Sequence, residues 1–336
     1  MRKFLALSAL FSFFALEAAA SSSRVAASIA PVHSLVQAVM GDTGKAELLV
    51  QGNVSPHATQ LKPSQMKMLQ QSTLVFYIDA GFETFLPRAL RVMPDTVRPV
   101  ALMDQDGIRL LDTRSGANWE VHSHDDHDGH KDHDTHETHG KHKDHDDHDD
   151  HDHNHHHGHS HGANVDAHVW LDPENAITMV KVITKELSRA FPENRTTYKA
   201  NARAMISQIE TVDEKLKSEL SSVGNRPFIV FHDAYQYFER HYGLQAVGSI
   251  VLDPAHSASA KRITELRKKV ADLNVVCVFR EPQFPAKLSN IVIEGSTASA
   301  GVLDPLGANL SLGPGLYLQL LENMSKNFIS CIKKAS

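Results

Sequence analysis

From Val25 onward, short apolar runs alternate with amphipathic stretches, and no other feature restricts the fold as much. RVAASIA (24–30) reads as a strand, and PVHSLVQAVMG (31–41) as a helix with Pro31 near its start and Gly41 at its end. KAELLVQG (45–52) is a second strand, followed by the helix PSQMKMLQQ (63–71), with Pro63 early in its first turn. TLVFYI (73–78) and VRPVALM (97–103) are further strands, separated by the helical FLPRALRVM (85–93). Strand–helix alternation of this kind predicts a mainly parallel sheet with helices on its faces, because parallel neighbours need a crossover between them.

The pattern then stops and later resumes. After a polar interruption, residues 173–191 read as a helix, and residues 193–223 as a longer one. In the longer helix Tyr198, Ala202, Met205, Ile209, Val212 and Leu216 recur at three- and four-residue spacing. Thirty residues of helix span about 45 Å, more than one domain requires, so this segment is expected to be a connecting strut. A second alternating set follows: RPFIVF, LQAVGSIV, SASAKRITELRKKVADL, NVVCVF, PAKLSNIVIEG, SAGVL and a terminal helix from Pro314. The expected architecture is α/β with two lobes, residues 21–192 and 224–336, bridged by one long rigid helix at 193–223. A ligand cleft is expected between the lobes, at the carboxyl ends of the strands.

The interruption is HDDHDGHKDHDTHETHGKHKDHDDHDDHDHNHHHGHSH (124–161), inside an insertion spanning about 115–163 of the first lobe. It contains no aliphatic or aromatic residue, has nothing to bury, and is expected to be disordered. Its histidines are His124, His127, His130, His133, His136, His139, His142, His145, His148, His151, His153, His155, His156, His157, His159 and His161. Up to His151 they fall on every third residue with Asp in most gaps, so an extended chain with three residues per turn lines them along one side. They are candidate accessory metal ligands.

Residues 122–161 carry a formal charge of −9 against −6 for the whole chain, which leaves the remainder near neutral. Nucleic acid is therefore an unsuitable partner. At the N-terminus, Arg2 and Lys3 precede an apolar run from Phe4 to Leu16, followed by Ala18-Ala19-Ala20. This is the layout of a secretory signal cleaved after Ala20. The run is too short for a membrane anchor, which needs about 20 apolar residues, and no later run is long enough to span a bilayer. The only two cysteines, Cys277 and Cys331, are an even pair in an exported chain and suggest a disulfide; two buried thiols are the alternative.

Six histidines lie outside the insertion: His33, His57, His168, His232, His241 and His256. His57 follows the second strand, His232 stands at the carboxyl end of the strand opening the second lobe, and His168 precedes a helix. Three imidazoles converging from two lobes make a nitrogen-rich, zinc-type site. His241 reads as a helix-surface or interface residue and His256 as a loop residue before a helix. His33 starts a helix at the edge of the presumed cleft.

The segments GNVSPHATQLKPSQ, DAHVWLDPENA, FIVFHDAYQYFERHYGL, CVFREPQFPAKL and GVLDPLGANLSLGPGLY resemble those of the metal-binding proteins of bacterial ABC importers, and most of all their periplasmic zinc-binding members. The resemblance runs from about Val25 to Cys331 with the segment order preserved. It implies two α/β lobes joined by a rigid long helix and metal ligands at His57, His168 and His232, with a fourth position at Asp304. It also implies a disulfide between Cys277 and Cys331 and an accessory role for the tract. From its own residues the tract is expected to be a low-affinity zinc reserve, with a solvated spacer as the alternative. The implied function is capture of periplasmic Zn²⁺ by a monomer, which delivers it to the membrane permease of an ABC importer. Manganese relatives carry a carboxylate where this chain has His232, and a hard metal prefers oxygen, so the three nitrogens favour zinc over manganese. Some zinc members have a glutamate where this chain has Pro56, so the fourth ligand is either Asp304 or water, and Asp304 alternatively caps its own D-P-L-G turn. A zinc hydrolase is the competing class, but no H-E-x-x-H occurs and HETH (136–139) has the wrong spacing. An adhesive surface protein is the third class.

Overall fold

The computed structural model describes residues 24–114, 119, 164–251, 254 and 258–334. The expected secretory signal, the tract histidines from His124 to His161, and His256 lie outside the described residues.

The first lobe contains β1 (Val25–Ala27), α1 (Ala30–Met40), β2 (Ala46–Leu48), α2 (Pro63–Gln71), β3 (Leu74–Tyr77), α3 (Leu86–Leu90), β4 (Arg98–Ala101) and α4 (Pro173–Ala190). Its strands are all parallel, in the order β2-β1-β3-β4. After α5 (Arg195–Ser221) the second lobe contains β5 (Phe228–Val230), α6 (Gln236–Tyr242), β6 (Ala246–Ser249), α7 (Ala260–Asp272), β7 (Cys277–Arg280), α8 (Lys287–Ile293), β8 (Ser299–Val302) and α9 (Leu316–Lys334). It repeats the plan, all parallel, in the order β6-β5-β7-β8. In each lobe the chain starts on an inner strand, adds a neighbour on one side, then crosses to the other. That reversal leaves a crevice between the two inner strands, β1 and β3 or β5 and β7, where open α/β sheets receive ligands.

Helices cover both faces of the sheets, so strands such as Leu74–Tyr77 and Phe228–Val230 are buried along their whole length. α1 carries Pro31 in its first turn and ends at Gly41, whose φ of 55° suits glycine. A Cβ at Gly41 would also lie 2.5 Å from the Asn201 side chain, which donates to the Val39 carbonyl and holds the end of α1 against α5.

The long helix is real but shorter than the periodicity predicts. Pro192–Asn194 forms a 3-10 turn, and the 27 residues of α5 span about 40 Å. Tyr198, Ala202, Met205, Ile209, Leu216 and Leu220 form its buried stripe, and all six expected apolar positions except half-buried Val212 are in it. α5 packs on α1 and α4 of the first lobe and on α6 and α9 of the second. The C-terminal helix α9 also reaches α1, so Leu35 and Val36 share one continuous core with Leu320 and Phe328. Cys277 in β7 and Cys331 in α9 form a disulfide with their Cα atoms 6.1 Å apart. Where the insertion leaves and re-enters the first lobe, Asp112 and Val165 pair as an antiparallel bridge, which forms a short stem.

Candidate metal centre

His57 sits on the 3-10 turn Pro56–Ala58, in the loop that follows β2. His168 precedes the 3-10 turn Val169–Leu171, which feeds α4 through Asp172; that carboxylate accepts from the Glu174 amide and caps the helix. His232 comes just after β5. Three loops from two lobes thus bring three rings together. Among the described residues, one group can supply three metal-ligating side chains: His57, His168 and His232, whose ligand atoms lie within 4.8 Å of one another. The ring centroids are 5.6 Å apart for His57–His168 and His57–His232, and 5.2 Å for His168–His232.

Two of the rings are held from behind. His168 Nδ1 lies 2.7 Å from Asp166 Oδ1, which also accepts from the His168 amide. His232 Nδ1 lies 2.7 Å from Glu281 Oε1. With Nδ1–H donated to a carboxylate, each ring presents an Nε2 lone pair to the cleft, the tautomer a metal ligand needs. The two Nε2 atoms stand 3.3 Å apart. Two nitrogens each about 2.05 Å from a tetrahedral zinc are about 3.3 Å from one another, so this spacing already suits the ion.

Burial, reinforced by the neighbouring His232, pushes the His168 imidazole well below its ordinary value, so its ring is neutral and able to ligate. At His232 burial acts in the same direction, but the carboxylates of Glu281, Asp233 and Asp166 together outweigh it and the net displacement is upward. Asp166 is fully buried, and burial raises its carboxyl to about 7. Pro56, Phe82, Trp170, Phe284, Pro305 and Leu306 wall the site with apolar surface. Phe82 meets His57 edge-on at 4.8 Å and His168 at 5.6 Å, and the Trp170 indole donates to the Pro305 carbonyl across the cleft. The space between these walls is about 10 Å³, room for one water-sized sphere.

Other sequence candidates have other work. Asp304 is not part of the cluster: its carboxylate accepts from the amides of Leu306, Gly307 and Ala308 and from Gln283 Nε2. It closes the turn that follows β8. His33 is buried, with Nε2 3.0 Å from the Ala46 carbonyl at the amino end of β2, the opposite end from His57. His241 is buried at the junction of the lobes, with Nε2 2.7 Å from Asp213 of α5 and Nδ1 3.4 Å from Asp172. Pattern reading missed Asp166 and Glu281. Glu281 carries a usable signal, since it is an acid one residue past β7, opposite His232 across the crevice. Asp166 lies two residues before His168, but only the turn geometry makes it a partner.

Two parallel-sheet lobes on a shared helical spine, with a histidine cluster in the cleft, define a two-lobed α/β binding protein with a metal-type site. Comparison with known proteins makes the class specific. Residues 25–331 match the family model described as ZnuA, zinc-uptake complex component A, periplasmic. Over 331 residues the chain is 42% identical to the high-affinity zinc uptake system protein ZnuA of Brucella suis biovar 1, covering 98% of each. The ZnuA protein of Paracoccus denitrificans is 39% identical over 98% of this chain and 97% of its own. A crystal structure of ZnuA superposes with a TM-score of 0.70 at 23% identity, covering 92% of this chain and 98% of that one. The chain belongs to the ZnuA family. This is a family of periplasmic zinc-uptake components and not of enzymes, which removes the hydrolase alternative. Among the described residues no helix is long and apolar enough to cross a membrane.

Proposed function

We propose that this protein captures Zn²⁺ in the periplasm at His57, His168 and His232 and hands it, as a monomer, to the permease of an ABC zinc importer. The observation that carries this reading is the convergence of three imidazoles from two lobes, with the two from His168 and His232 oriented by buried carboxylates. Imidazole nitrogen donors at this spacing suit zinc better than manganese, which favours oxygen. Water fills the fourth position. Asp304 would have to give up three backbone amide bonds to reach an ion, and each buried N–H left unpaired costs about 1–3 kcal/mol.

Export uses the N-terminal signal, cleaved after Ala20. The lobes work as residues 21–192 and 224–336 about the linking segment 193–223. The tract from His124 to His161 acts as a low-affinity accessory reserve.

The test is a zinc titration of the mature chain against a competing chelator, with His232→Ala beside it. One tight zinc per chain, lost in the variant while the tract is intact, is the expected result. Unchanged tight binding in His232→Ala moves the site elsewhere.

A further inference from the structure

The stem of the insertion crosses to the other lobe. Its last contiguous described residue, Arg114, belongs to the first lobe, yet its guanidinium grips two carboxylates of the second. Nε lies 3.0 Å from both oxygens of Asp233, and Nη2 also bonds that carboxylate. Nη1 lies 2.8 Å from Glu239 Oε2 and Nη2 3.0 Å from Glu239 Oε1. Trp119 stacks on the guanidinium at 3.8 Å. A planar fork with five N–H donors fits two carboxylates at once, which an ammonium does not.

Both carboxylates matter to the cleft. Asp233 is the residue after His232, so fixing it fixes the backbone of that histidine. Glu239 lies in α6 and also accepts from the Ala246 amide at the start of β6, which ties the same grip to the sheet. The rest of the stem sits on α6 as well. Tyr237 accepts from the Leu111 amide and donates to the Asp166 carbonyl, and Gln236 donates to the Asp112 carbonyl. One network therefore touches the backbone of Asp166, which orients His168, and the residue adjoining His232.

We propose that Arg114 is a positioning residue for the zinc site: through Asp233, Glu239 and the stem it sets how closely His168 and His232 approach from opposite lobes. The proposal rests on the reading that these histidines hold the metal. Arg114 contributes no ligand. Its effect is on how long the closed geometry lasts, so it acts on release more than on capture.

The experiment compares mature wild type, Arg114→Ala, Arg114→Lys, His232→Ala and the control Arg98→Ala, which removes an ion pair to Glu186 within the first lobe. Zinc release is followed by stopped flow into excess chelator, the visible spectrum of the Co²⁺-loaded protein reports ligand geometry, and melting of the metal-free protein reports stability. Expected are a release rate about tenfold faster and an altered Co²⁺ spectrum in Arg114→Ala. Arg114→Lys should recover the melting temperature but not the release rate, and Arg98→Ala should release at the wild-type rate. Wild-type release and spectrum in both Arg114 variants, with tight binding lost in His232→Ala, overturn the positioning role alone. Equal acceleration in Arg98→Ala reduces Arg114 to a general stabiliser and also overturns it. Tight binding retained in His232→Ala defeats the underlying reading, and the proposal with it.

Discussion

His232 and Glu281 face each other from the carboxyl ends of adjacent strands, Nδ1 to Oε1 at 2.7 Å, with both side chains almost completely buried. β5 and β7 are the inner strands of the second sheet, so the pair spans the crevice created where the strand order reverses. A carboxylate there can do two things for a metal ligand: it fixes which ring nitrogen carries the proton, and it raises the basicity of the other.

Removing that carboxylate should weaken zinc without touching a ligand. Glu281→Ala is expected to lower affinity 10- to 100-fold, and Glu281→Gln, which keeps one acceptor oxygen, by less. Chelator competition decides it. Equal affinities for wild type and Glu281→Ala would mean the ring is oriented by packing alone.

Deleting residues 122–161 should leave one tight zinc and remove weaker equivalents. A segment without aliphatic or aromatic residues has nothing to bury that would hold its ligands in place beforehand, so ordering them with each ion costs entropy that a preformed cleft avoids. The weaker equivalents should fade as pH falls through about 6.5, where free imidazole protonates, and as salt screens the Asp charges. Calorimetry on both forms counts the sites. Loss of the tight site on deletion, or an unchanged total, contradicts an accessory role.

Stability should carry the signature of Glu83. This carboxyl is fully buried behind the Phe82 loop and accepts from the amides of Ile78 and Asp79 at the end of β3. Burial raises it from 4.5 to about 7. A carboxyl raised in the folded state binds its proton more tightly there than in the unfolded chain. Its contribution is complete below about pH 4.5 and is lost as pH rises through 7, by about 3 kcal/mol for a shift of this size. Glu83→Gln cannot titrate, so the stability of wild type should fall relative to that of the variant as pH rises from 4.5 to 7. Denaturant melts of the metal-free protein across that range test this; a constant difference would place the group elsewhere on the pH scale.

The mature chain should begin at Ser21 and carry the Cys277–Cys331 bond, both visible by non-reducing mass spectrometry. Closing a loop of 54 residues contributes about 4 kcal/mol in the chain-entropy model. Cys331→Ser should therefore lower the denaturant midpoint sharply while leaving zinc affinity nearly unchanged, because the bond ties α9 to Cys277 at the amino end of β7, and the cleft lies at the carboxyl end.

The sequence by itself determined the lobes and the places where functional residues could stand. Apolar periodicity is local, so the strands around Phe76 and Val230, the helix on Pro63 and the long stripe from Tyr198 to Leu216 were legible along the chain. The same reasoning put His57, His168 and His232 at loops beside strand ends. The tertiary structure alone decided which of these places meet and which groups stand behind them. Asp166, Glu281, Asp304, His33 and Arg114 look alike in one dimension, as polar residues near strand or stem ends. Their roles separate only when parallel pairing sets β5 beside β7 and turns His33 toward the opposite end of its sheet. Those pairings join residues tens to hundreds apart, and a hydrogen bond depends on position and direction within a few tenths of an ångström, which no local pattern encodes.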